Sequence, residues 1–198
     1  MNFKRRALVQ ALFVMVVART CLAMLPGVLV QESIPAPPAD RTLIYWRASE
    51  KVGEKEGALA PLSVEAGASP LRMEALATSD KLSRLELKGE RSATLIGTDE
   101  PHFFLFVPEG GAHPPLLVRL ETKRSVRRVG VMAQRGQRGF AISSGEIVKP
   151  HYRVLSREGG MIYMEVWGRE LLLPGEYAFI GSDMARISTF SLQAPRGM

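Results

Sequence analysis

Short apolar runs recur every 8 to 12 residues from residue 58 to the C-terminus, punctuated by Gly, Pro, Asp and Ser. That rhythm predicts many short strands joined by turns, the pattern of a sandwich or barrel. A first strand is expected at Thr42–Arg47 (TLIYWR), followed by a charged, glycine-broken loop over Ala48–Gly57. Further strands are expected at Leu71–Leu76, Leu82–Lys88, Ser92–Ile96, His102–Val107, Leu116–Thr122 and Val126–Ala133. The last five are expected at Gly139–Ser143, Tyr152–Ser156, Met161–Trp167, Glu176–Ile180 and Arg186–Leu192. Alternation supports them. Leu85 and Leu87 share a face with Ser83, whereas Arg84, Glu86 and Lys88 lie opposite; Val118 and Leu120 alternate with Arg119 and Glu121. Charge on one face and aliphatics on the other mark antiparallel strands with one wet side. No window beyond the leader holds a helical period over three turns. The expected fold is therefore all-β, an antiparallel immunoglobulin-like β-sandwich over residues 42–198, without a second domain or an internal repeat.

The N-terminus follows a different pattern. Lys4, Arg5 and Arg6 precede the apolar run Ala7–Ala18, and small-residue Ala23 follows at a peptidase-compatible site. That order is a secretory signal, expected over residues 1–23, with Ala18 as the second cleavage choice. The run is shorter than the roughly 20 residues a bilayer span needs. Membrane association is expected only if the leader stays uncleaved and acts as an anchor. Cys21 lacks the small residues before it that lipidation would want. Residues 24–41 read as a proline-rich linker, with Gln31–Asp40 (QESIPAPPAD) as an extended tether.

Composition changes meaning once the leader is set aside. The chain has 26 Lys+Arg against 20 Asp+Glu, but four of the bases lie in the leader, leaving 22 against 20. A net charge of +2 gives no case for nucleic acid. The only cysteine is in the leader, so the domain has neither disulfides nor thiolate chemistry. Its core must hold it together.

The segment Leu171–Ile180 (LLLPGEYAFI) carries a local signature. Pro174 followed by Gly175 predicts a type II turn feeding Leu171–Leu173 into a strand from Glu176. Tyr177 and Phe179 then share one face, with Tyr177 placed to bond backbone as corner tyrosines do. Together with Gly89-Glu90-Arg91-Ser92, Phe103–Val107, Leu116–Leu120 and Arg127-Arg128, this segment resembles an uncharacterised family of exported bacterial β-sandwich proteins. The last hairpin of that family reads Leu-x-Pro-Gly-Glu-Tyr-Ala. The likeness runs from about Leu43 to Leu192, although the ending Phe190-Ser191-Leu192 departs from the family's Phe-Gly. It implies fold and export and no activity.

Catalytic patterns are lacking in the sequence. His102, His113 and His151 have no metal-ligand spacing, so no metal or cofactor is expected. Ser143-Ser144-Gly145 lacks a nucleophile elbow's upstream glycine and reads as a turn. Gly136–Gly139 reads as a hairpin connection. Trp46 and Trp167 are read as packing residues, with sugar stacking as the alternative. The standout feature is basic: Arg119, Lys123, Arg124, Arg127, Arg128, Arg135 and Arg138 face only Glu121 over one stretch. Of these, Lys123, Arg124, Arg127 and Arg128 surround one expected turn. They form the candidate binding site for an anionic envelope component or an acidic protein. The alternative is a solvated face that guards against aggregation. The function expected is a non-catalytic binding or structural module of the cell envelope, periplasmic or secreted. A carbohydrate- or envelope-active enzyme is the alternative, favoured if acids and histidines gather in a cleft around Trp167. A secretion or assembly accessory is the third, favoured by a long unpaired edge strand.

Overall fold

The computed structural model describes residues 34–47, 58–66, 83–111, 113–133, 140–182, 184 and 186–194. The leader, the expected strand Leu71–Leu76, the expected loop Ala48–Gly57 and the Gly136–Gly139 connection lie outside the described residues. The described residues contain thirteen strands and no helix. They are β1 Tyr45–Arg47, β2 Leu59–Pro61, β3 Ser63–Ala66, β4 Ser83–Lys88, β5 Leu95–Ile96, β6 Phe103–Pro108 and β7 Leu116–Lys123. The remainder are β8 Val126–Ala133, β9 Phe140–Ile142, β10 Pro150–Glu158, β11 Met161–Gly168, β12 Gly175–Ile180 and β13 Arg186–Leu192. Two of these, β2 and β3, escape the apolar pattern, because LAP and SVEA are short and interrupted by proline or glutamate.

The strands form an all-β sandwich of antiparallel sheets. One sheet has the order β10-β11-β6-β1-β2, and the other β3-β13-β12-β7-β8-β4, with β9 on β8 and β5 parallel to β13. The main core lies between them. Phe103, Leu105 and Val107 of β6 and Met164 and Val166 of β11 meet Leu117 of β7, Tyr177 and Phe179 of β12, and Phe190 and Leu192 of β13. Phe103 packs edge-on to Phe179, and Tyr177 stacks on Phe190.

A second core departs from a simple two-layer sandwich. Every side chain from Glu176 to Ile180 and from Ile187 to Leu192 is buried, so both faces of β12 and β13 are covered. The second face, bearing Ala178, Ile180 and Ile187, packs with Leu85, Leu87, Val129, Val131 and Ile142 of β4, β8 and β9. Strand β7 makes this possible. Its residues Leu116–Leu120 pair with β12, while Glu121–Lys123 pair with β8, so one strand hands the sheet over to a second layer. The β7–β8 connection is Arg124-Ser125, with φ of 49° and 62°. Two left-handed residues in a two-residue loop make the type I′ turn that matches strand twist.

A third cluster, Tyr45, Phe104 and Tyr163, occupies the other face of the five-stranded sheet. The last part of the expected tether, residues 34–40, runs along this face while most of its side chains stay exposed. The carbonyls of Asp40 and Pro35 accept hydrogen bonds from Tyr45 Oη (3.0 Å) and Tyr163 Oη (3.4 Å), and Arg41 sits over Phe106. Burial, helped by the charge of Glu165, pushes the Tyr163 hydroxyl up to about 12. The alternation in β11 thus separates two covered faces, not a wet and a dry side.

The Pro174–Gly175 expectation needs correction. Gly175 has the positive φ that the turn expectation required, but at 158°, and it opens β12. A type II turn needs φ near +80° there. Leu171–Leu173 forms no strand, and β12 pairs with β13 and β7 instead. The tyrosine expectation holds: Tyr177 Oη donates to Leu173 O at 2.6 Å.

Candidate functional site

The four basic residues expected to form one site are dispersed by strand geometry. Lys123 ends β7 and Arg124 is in the turn, both exposed. Arg127 points inward with Val129 and Val131, and its residue is 1% exposed. Its Nη2 donates to both carboxylate oxygens of Glu65 (2.8 and 2.9 Å) and to Lys88 O (2.7 Å), and its Nε to Gly89 O. Arg128 points the other way and donates from Nε to Glu121 at 2.8 Å. That bond holds the Glu121 carboxyl below its ordinary range, with the charges of Arg128, Arg84 and Lys123 adding to it. Adjacent strand residues face opposite sides, so Arg127 and Arg128 never share a surface. Arg127 is a structural residue.

Arg127 opens a buried polar chain that the sequence did not announce. Thr189 Oγ1 donates to Glu65, Ser92 Oγ bonds Thr189 Oγ1 at 2.8 Å, and Ser92 N donates to Glu176 at 2.9 Å. Ser191 Oγ also donates to Glu176. These groups line the polar end of the second core, where Glu176 pairs across from Ser191 and Ala178 from Thr189. Each acid meets donors, as buried carboxylates must.

Around Trp167 the fold gathers residues distant in sequence. Glu165, fully buried, lies 2.8 Å from His102 Nδ1 and accepts from Arg153 Nε at 2.6 Å. His102 stacks on Trp167 at 5.4 Å, and His151 tilts against the same ring at 5.5 Å. The two imidazoles come from β10 and from the residue before β6, the strands flanking β11. Trp167 is thus flanked on both sides, which disfavours its use as a platform for a sugar ring. Beyond it, β10 runs nine residues as the sheet's edge. Pro150 at its start, a bulge between Val154 and Ser156, and Arg153 and Arg157 are the usual devices against strand addition.

Solvent-accessible hollows adjoin β7. A cavity of about 350 Å³ is lined by Arg119, Glu146, Lys149, Arg169, Glu170, Leu171, Leu173 and Tyr177, among others. Arg119 and Glu146 also border a neighbouring hollow of about 630 Å³ that reaches Arg91 and Glu176. Local structure explains the arrangement. Val148 N donates to Leu117 O and Arg169 N to Lys149 O, bringing the Glu146–Lys149 segment and the end of β11 together over β7. Arg119, opposite Tyr177 in the β7–β12 ladder, donates from Nη2 to Pro174 O. Among the described residues, no carboxylate pairs with Arg119, Lys149 or Arg169. Burial raises the Tyr177 hydroxyl above its ordinary range, although Arg119 opposes the shift. Only Arg119 of these cations stood in the basic stretch of the sequence. Lys149 and Arg169 gave no signal, because only the β10–β11 pairing makes them neighbours.

Among the described residues, no three His, Cys, Asp or Glu side chains gather as a metal site, and no helix is long and apolar enough to cross a membrane. No protein-family model, curated protein or solved structure matches the chain.

Proposed function

We propose that the protein is an exported β-sandwich of the cell envelope that binds an anionic envelope component without catalysis. The observation that carries this is the convergence of Arg119, Lys149 and Arg169 on one cavity, where they outnumber the lining Glu146 and Glu170 and form no ion pair with a described carboxylate. Unpaired guanidinium and ammonium groups around a hollow suit an anion through charge-assisted hydrogen bonds. The leader pattern and the resemblance to exported bacterial β-sandwich proteins support export. Retention on immobilised dextran sulfate tests the reading. Lys149→Gln with Arg169→Gln should lower retention, whereas Lys123→Gln with Arg124→Gln at the hairpin tip should not. Equal losses from both pairs would reduce the effect to net charge and refute the site. Intact mass of the exported protein should begin at Met24, or at Arg19; a full-length chain held in the membrane fraction would mean an uncleaved anchor.

A second reading, an envelope-active enzyme, is favoured by the His102–Glu165 contact. A carboxylate that holds Nδ1–H leaves Nε2 as a base suited to proton transfer. Hydrolysis of envelope glycans or esters by the wild type, abolished by His102→Gln, would favour it over the binding reading.

A further inference from the structure

The cavity has an apolar side that an inorganic anion does not need. Leu171 and Leu173 are 63% and 62% exposed, the two most exposed large apolar side chains among the described residues. Leu172 between them is buried in the main core, and its N–H is fixed on Asp99 O at 2.9 Å. Leu173 O is held by Tyr177 Oη at 2.6 Å. The two leucines are therefore presented outward by a loop tied at both positions. Arg169 stands two residues before Leu171 with the exposed Glu170 between them, Lys149 is joined to Arg169 through the backbone, and Arg119 is tied to Pro174 just beyond. Projecting aliphatic side chains beside three cations without an ion-pair partner, which outnumber the lining carboxylates Glu146 and Glu170, match an anionic interface with an apolar interior.

We infer that this loop and its cations form a docking surface for anionic lipid, with Leu171 and Leu173 entering the acyl region and Lys149 and Arg169 meeting headgroup phosphates. The inference rests on the anion-binding reading above and names the source of the anion. Charge complementarity selects the occupant. A neutral protein partner would meet the leucines and strand the cations, and a soluble polysaccharide would do the reverse. Interfacial binding scales with apolar area inserted plus attraction between basic residues and anionic lipid.

The test uses the native chain and phosphatidylethanolamine vesicles made with or without phosphatidylglycerol. Wild type should co-sediment with the anionic vesicles, and binding should fall as salt screens the headgroups. Leu171→Gln with Leu173→Gln should weaken vesicle binding by at least about tenfold and leave retention on dextran sulfate unchanged. Lys149→Gln with Arg169→Gln should weaken both, by about fivefold per cation at the anionic vesicle. A second measurement is independent of any anchoring by the leader. In a Leu173→Trp variant, phosphatidylglycerol brominated along its acyl chains should quench the added indole fluorescence. Wild-type vesicle binding by the double leucine variant, or no quenching of that indole, overturns lipid docking. If dextran sulfate retention still depends on Lys149 and Arg169, the anion reading survives that failure. If neither variant differs from wild type on any surface, both fall.

Discussion

Arg127→Met is the most informative perturbation of the fold, because it separates a buried cation from the surface cations beside it in sequence. The residue is 1% exposed, and its guanidinium makes two bonds to Glu65, one to Lys88 O and one to Gly89 O, with Nη1 buried and without a hydrogen-bond partner among the described residues. Removing one partner of a buried ion pair costs about 3–5 kcal/mol, mostly through the charge left behind. Here the abandoned carboxylate is not fully enclosed. The Glu65 side chain keeps 24% of its exposure and still receives the Thr189 hydroxyl, so water can restore part of its solvation. The expected loss is therefore at the low end, about 3 kcal/mol. With a urea dependence of about 2 kcal/mol per molar, the unfolding midpoint should fall by roughly 1.5 M at unchanged slope. Arg128→Met is the control: Glu121 is 55% exposed, so the loss should stay below about 1 kcal/mol. Arg127→Met with Glu65→Leu should recover much of the deficit, since no charge is then stranded. A loss for Arg127→Met no larger than for Arg128→Met would refute the structural assignment of Arg127.

Two further perturbations follow from local geometry. Arg124 and Ser125 hold left-handed conformations that the β10–β11 turn assigns to Gly159 and Gly160. Arg124→Asn with Ser125→Gly should thus stabilise the protein by about 1 kcal/mol, and a lower urea midpoint would show that the native pair makes compensating contacts. Tyr163, raised to about 12, stays protonated in the folded state after the unfolded chain begins to ionise near 10. Its contribution is complete below pH 10 and is lost as pH rises towards 12. Tyr163→Phe should flatten the stability loss over that window, measured by urea unfolding at successive pH values; an unchanged slope would assign the loss to other groups.

Much of the architecture is legible in one dimension because strand alternation is a local property. The aliphatic face of β4, the charged face of β7 and the shared face of Tyr177 and Phe179 follow from a period of two. The all-β class and the absence of cysteine from the domain are equally local, whereas the type of the Pro174–Gly175 turn was misjudged. Three things depended on tertiary structure. Whether the second face of a strand is wet depends on what covers it, so β12, β13 and Tyr163 read as half-buried until the second layer and the Ile34–Leu43 segment are seen. Whether neighbouring cations form a site depends on pleat and partners. Alternation would separate Arg127 from Arg128, which the sequence reading grouped in one site, but only the fold placed Glu65 against the first and Glu121 against the second. The proposed site itself brings Arg119 from β7 to Lys149 and Arg169 beside the β10–β11 ladder, three positions that no sequence spacing relates. Their proximity comes from strand pairing between distant segments, and a chain read in order carries no distance between its strands.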